Sequence, residues 1–132
     1  MKKHHYFPSK ASLSEVLQAA LYWQATDYCE ETRNEMRSLI ASENFDELRA
    51  RLCTRIEFGT AGLRGTMQAG YSRMNYVTVQ QTTQGLSAYL LDQFSKEECE
   101  KHGVVIGYDA RHNSFGFAHV AAAVFRLNGI RV

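Results

Sequence analysis

The chain is short of proline. At ordinary usage 132 residues would hold about six or seven, and only Pro8 is present. Cysteine is equally sparse: Cys29, Cys53 and Cys99 are odd in number and widely spaced, with no C-x-x-C pair. That excludes a disulfide framework and a zinc ribbon, and reads as three reduced thiols in a cytoplasmic protein. An excess of charge is missing too, since 15 Lys+Arg against 14 Asp+Glu leave a net charge of +1. The electrostatic case for a nucleic-acid partner falls with it. The longest apolar run, from Val120 to Phe125, has six residues, where a membrane span needs about twenty. A basic start, Met1-Lys2-Lys3-His4-His5, is followed by Glu15 and Gln18, which interrupt the apolar stretch a secretory signal requires. His4-His5 reads as part of a solvated terminus rather than a metal site.

What is present is an ordinary globular composition, 45% hydrophobic and 22% charged, at a length that usually means one domain. The first fifty or so residues carry helical signals. Ser12 with Glu15 is a capping box leading into Val16, Leu17, Ala20, Leu21 and Trp23, and Asp27 with Glu30 repeats the spacing. Asn44 is placed to cap a short helix bearing Phe45, Leu48 and Leu52. The charge-rich stretches 30–37 and 43–51 read as solvated helical faces.

The texture changes at Arg55. A short extended segment, Ile56-Glu57-Phe58, runs into Gly59-Thr60-Ala61-Gly62-Leu63-Arg64-Gly65. Over 77–94, Val79, Thr83, Leu86, Leu90 and Phe94 recur at helical steps, with Asn75 as the cap. Residues 96–101 read as a charged loop. Gly103-Val104-Val105-Ile106-Gly107-Tyr108 reads as a strand buried on both faces. Ser114 is placed to cap a helix reaching Leu127, whose face Ala118, Ala121, Ala122 and Val124 would lie on a sheet. Asn128-Gly129 stops that helix, and Ile130-Arg131-Val132 begins another strand. The expected architecture is α/β with a right-handed crossover: N-terminal helices over residues 1–53, then an incomplete three-layer sandwich over 54–132.

Two places could hold chemistry. Around Phe58–Gly65 the glycines allow close backbone approach, Thr60 offers a hydroxyl, and Arg64 offers a planar fork of donors matched to phosphate. Neither common nucleotide-binding glycine motif fits. The competing reading is a tight turn with Arg64 in an ion pair. Asp109 and Arg111 follow the expected strand, where ligands gather in open α/β sheets; the alternative is that the two simply pair. His112 and His119, seven apart, lack the further ligands a metal site needs. Tyr71, Tyr76, Tyr89 and Tyr108 read as packing residues.

Four stretches together resemble the α-D-phosphohexomutases. They are Arg55-Ile-Glu-Phe-Gly-Thr-Ala-Gly-Leu-Arg-Gly65, Gly70-Tyr-Ser-Arg-Met-Asn75, Gln81-Thr-Thr-Gln-Gly85 and Val105-Ile-Gly-Tyr-Asp-Ala-Arg111. The nearest branch is that of phosphoglucomutase-2, phosphopentomutase and glucose-1,6-bisphosphate synthase, and Trp23 with Glu31-Thr32-Arg33 is similar to it as well. Gln68 departs from the pattern, which usually has glycine there.

The resemblance implies the first half of domain 1 of a four-domain enzyme. That enzyme would be an intramolecular phosphotransferase of the isomerase class, using a phosphoserine and a sugar bisphosphate with Mg²⁺. It implies that Arg64 contacts the bisphosphate, that Gly59, Thr60 and Gly62 shape its loop, and that Arg111 organises the same cleft. The phosphoserine loop (Thr-x-Ser-His-Asn-Pro) and the metal loop (Asp-Gly-Asp-x-Asp-Arg) do not occur in these residues. The expectation is therefore an N-terminal part of a longer enzyme, inactive alone, whose partners are the remaining domains and a sugar phosphate. Glucose 1,6-bisphosphate and Mg²⁺ would be the longer enzyme's cofactors, with no metal ligand here. Hexose against pentose, and mutase against synthase, stay open. The other reading is a stand-alone, non-catalytic module that binds a sugar phosphate or a protein through Arg64.

Overall fold

The computed structural model describes residues 11–132; the basic start, His4-His5 and Pro8 lie outside the described residues. Among the described residues the fold is α/β, helical with one small two-stranded sheet. The chain forms two compact units, one ending at Thr78 and the other running Val79–Val132.

The first unit opens with α1 (Leu13–Thr26), α2 (Glu30–Ala41) and α3 (Phe45–Leu52). Ser12 and Glu15 form the expected capping box on α1, and the Asn44 side chain accepts from the Glu47 N–H at α3. Asp27 does not cap α2. It ends α1 and turns its carboxylate into a hub, accepting from Trp23 Nε1 (3.2 Å), Cys29 N (3.0 Å) and Thr32 Oγ1 (2.6 Å). Three donors outcompete a single capping bond, and α2 starts at Cys29 without a side-chain cap.

Val16, Ala19, Ala20 and Trp23 of α1 are fully buried and share one core with Met36, Leu48 and Leu52. Ala69, Tyr71 and Val77, far along the chain, belong to the same core. The Trp23 and Tyr71 rings meet edge to face at 4.9 Å. Burial pushes the Tyr71 phenol up to about 12, since a phenolate there would be stripped of water. Its proton is held more tightly folded than unfolded, so Tyr71 contributes stability in full below about pH 10 and loses it as pH rises toward 12. A tyrosinate absorbance titration should show one phenol ionising near pH 12, together with unfolding. A full complement of tyrosines titrating near 10 with the chain still folded would contradict this.

Helix α4 (Tyr76–Gln93) starts where expected, but the expected stripe is covered only in part, at Thr83 and, beside the second core, at Leu90. Thr83 and Ser87 are buried, whereas Leu86 and Phe94 are about half exposed. The hydroxyls can be buried because each donates to the carbonyl one turn back, Thr83 to Val79 and Ser87 to Thr83, both at 2.8 Å. Residues 96–101 are a helix and not a loop: α5 (Lys96–Lys101) carries a second capping box, Ser95 with Glu98. α6 (Ser114–Leu127) has Asn113, with φ +63°, at its N-cap position rather than Ser114, and that side chain makes no cap hydrogen bond. It ends in a Schellman turn, Gly129 N to Arg126 O and Ile130 N to Phe125 O, both at 3.0 Å.

The strands expected at 103–108 and from Ile130 onward do not form. Val105 is 99% exposed. The run has a single backbone bond to the later segment, Val104 N to Arg131 O at 2.8 Å. With no longer partner among the described residues there is no ladder, and no βαβ crossover closes. Val104 and Ile106 instead pack beside Cys99, Phe125 and Ile130, the core of the second unit. Cys29, Cys53 and Cys99 are free thiols, the last two buried. Among the described residues no helix is long and apolar enough to cross a membrane.

Candidate functional site

The glycine-rich stretch is a hairpin. β1 (Glu57–Gly59) pairs antiparallel with β2 (Gly62–Arg64), setting Glu57 opposite Arg64, Phe58 opposite Leu63 and Gly59 opposite Gly62. Thr60 and Ala61 form the turn and keep negative φ, and Gly62 at φ +105° brings the chain back. A side chain at Gly62 would be strained by that dihedral although space is open. Arg64 and Glu57 share one face, Phe58 and Leu63 the other. Phe58 is 73% exposed, and Thr60 and Arg64 are exposed. Among the described residues Arg64 has no ion pair and no side-chain hydrogen bond. The hairpin thus brings together Gly59, Thr60, Gly62 and Arg64.

The base of the hairpin is residues 66–75. Ile56, just before β1, donates to Tyr71 O at 2.8 Å, and Thr66 O, just after β2, accepts from Met74 N at 2.9 Å. Met67 and Met74 form an isolated bridge. Asn75 does more than cap α4. Its Nδ2 donates to Gln68 O and Gly70 O, both at 2.8 Å, while its Oδ1 accepts from Thr78 N at 3.0 Å. Gln68, the departure from the family pattern, accepts from Arg73 Nε at 3.0 Å.

Sequence reasoning missed the charged cluster behind this base. Residues 43–51, expected to be a solvated face, contain Arg51, which is only 6% exposed. Its guanidinium donates to Glu47 Oε1 at 2.7 Å and Glu35 Oε1 at 2.5 Å, and Arg73 lies 3.6 Å from Glu47. The Arg51 hydrogen bond holds the Glu47 carboxyl below its usual range. The pair Glu47–Arg51 has i,i+4 spacing and was the legible part of this cluster. Glu35 has no such local signal.

Asp109 and Arg111 lie in the second unit and pair with each other. Arg111 Nε donates to Asp109 Oδ2 at 2.9 Å, and Arg111 N to Oδ1 at 3.0 Å. These bonds hold the Asp109 carboxyl at about 2. His112 precedes α6 while His119 lies on it, bonded to Phe115 O at 2.9 Å. They share no helix face. Tyr76 packs on Tyr28 and Tyr108 on Phe115, whereas Tyr89 is exposed. Among the described residues no three His, Cys, Asp or Glu side chains gather as a metal site.

Comparison with known proteins identifies the family. Residues 55–132 match the family model described as phosphoglucomutase/phosphomannomutase, alpha/beta/alpha domain I. The chain is 45% identical over 109 residues to a probable phosphoribomutase of Schizosaccharomyces pombe, covering 83% of this chain and 18% of that protein. It is 45% identical over 121 residues to the phosphopentomutase of Homo sapiens, covering 87% and 19%. It is 43% identical over 89 residues to the human glucose 1,6-bisphosphate synthase, covering 67% and 14%. The chain therefore spans less than a fifth of the length of these relatives. No solved structure gave a significant match. The hairpin bearing Arg64 and everything after it lie inside the matched region, and the chain belongs to the phosphoglucomutase/phosphomannomutase family.

Proposed function

We propose that this chain supplies a phosphate-binding part of an enzyme that moves a phosphoryl group between positions of a sugar phosphate. In that reading a phosphoserine carried by another segment gives its phosphoryl group to the substrate. The resulting bisphosphate turns over and returns its other phosphoryl group to the serine. Catalysis of this kind rests on positioning and on neutralising phosphate charge, which is what an arginine fork on a rigid turn can supply.

The observation that carries the proposal is Arg64: an exposed guanidinium without an ion pair among the described residues, on the second strand of a hairpin whose turn holds Thr60 and Gly62. Its five donors match phosphate oxygens. Arg111, in the second unit, already holds Asp109 and is given no phosphate contact in this reading. No described residue is assigned to Mg²⁺, which the longer enzyme would bind elsewhere to offset phosphate charge. Three free thiols fit a reducing compartment, and we place the protein in the cytoplasm.

Calorimetric titration with glucose 1,6-bisphosphate tests the reading. Arg64→Ala should weaken binding by about tenfold to a hundredfold, the value of one charge-assisted bond pair. The 132-residue chain mixed with glucose 1-phosphate or ribose 1-phosphate should show no turnover. Wild-type affinity in Arg64→Ala, or measurable turnover by the chain alone, would refute it.

A further inference from the structure

The hairpin stands on residues 66–75, and that base is fastened to the helices from beneath. Both of the hairpin's feet bond to it, Ile56 through Tyr71 and Thr66 through Met74. The base in turn meets α3 by Ser72 N to Arg51 O at 3.0 Å and Ser72 Oγ to Ala50 O at 2.9 Å. It meets α2 through one side chain. Glu35 Oε2 accepts from the Ala69 backbone N–H at 2.7 Å while its Oε1 accepts from the buried Arg51. One carboxylate thus joins two helices to the backbone of the segment on which Arg64 is mounted.

We infer that Glu35 is a positioning residue for phosphate capture by Arg64, an inference that rests on the reading of Arg64 given above. A charge-assisted bond to a backbone N–H fixes a loop more tightly than a neutral contact. A binding group held through a chain of short bonds keeps its geometry only while each link holds. Glu35 is charged, two-thirds covered by its surroundings (32% side-chain exposure), and divides its two oxygens between helix and loop. Glu47 serves as the internal contrast. It bonds the same arginine and reaches the base only through the longer Arg73 contact at 3.6 Å, so removing its charge perturbs the same cluster while the bond between α2 and the Ala69 backbone persists.

The test is an NMR titration of the chain with inorganic phosphate, following the Arg64 side-chain Nε–H, with each variant first shown to be folded by Trp23 fluorescence. Glu35→Gln should weaken phosphate binding about tenfold, the scale of losing a supporting bond behind a binding group. It should also displace the amide resonances of Thr60 to Arg64 before any phosphate is added. Glu47→Gln should stay near wild type on both readouts. If Glu35→Gln fails to fold, Glu35→Asp replaces it, keeping the charge beside Arg51 but drawing the carboxylate back from Ala69. Wild-type affinity with unmoved hairpin resonances overturns the inference, and so does equal weakening by Glu47→Gln. If Arg64→Ala, followed instead by the backbone amides of residues 60–63, leaves phosphate binding intact, the reading of Arg64 itself has failed, and the role of Glu35 fails with it.

Discussion

Gly70→Ala is expected to lower the stability of the first unit by about 3 kcal/mol or more. Gly70 has φ +120°, and a methyl group there would sit 2.6 Å from Arg51 Cβ and 2.8 Å from Arg51 O. The dihedral alone costs about 1–3 kcal/mol for a residue with a side chain. The clash adds about as much again, because one of the opposing atoms is backbone and cannot swing aside. The change also strikes where α3 meets the base of the hairpin, so two elements must shift together. Urea unfolding followed by the fluorescence of Trp23, the only tryptophan, should show the midpoint fall by about 1 M or more. An unchanged midpoint would mean that the close approach of Gly70 to Arg51 does not exist in solution.

Trp23→Ala is expected to be as damaging for a different reason. Trp23 is fully buried, its ring meets Tyr71 edge to face, and its indole N–H donates to Asp27. Removing so large a side chain from a packed core costs about 3–5 kcal/mol through lost transfer energy and the cavity left behind. Trp23→Phe keeps most of the volume and loses the Asp27 bond, at a cost nearer 1 kcal/mol. Helical circular dichroism during thermal melting gives the readout, since the fluorescent probe is gone. Equal melting of the alanine and phenylalanine variants would show that the bond to Asp27, and not packing, carries the effect.

How much of this was legible beforehand follows a physical line. Signals that act within a few residues were readable: the capping box of Ser12 with Glu15, the Asn44 and Asn75 caps, and the glycine stop at Gly129. The box of Ser95 with Glu98 is equally local, although the density of charge over 96–101 reads as a loop. The hairpin of residues 57–64 was legible as a glycine-rich turn. The larger failures depended on a partner distant in sequence. The apolar run 103–108 has strand composition, but a strand exists only with a neighbour, and Val104 finds a single bond to Arg131. Arg51 looked like a surface charge because its partners, Glu35 and the backbone at Gly70 and Ser72, are set by tertiary packing. The site showed the same division. Arg64 could be chosen from its local glycines, whereas Glu35, far back in the chain, could not.

The two buried cysteines give each unit its own clock. Cys53 lies in the core of the first unit, where burial pushes its thiol up, and Cys99 lies in the core of the second. A thiol reagent reaches either sulfur only when that core opens, so its rate of labelling measures the opening free energy of the unit containing it. Cys29, less deeply covered, marks the rate without full protection. The chain thus carries, without any engineered probe, the means to learn whether its halves open together or one at a time.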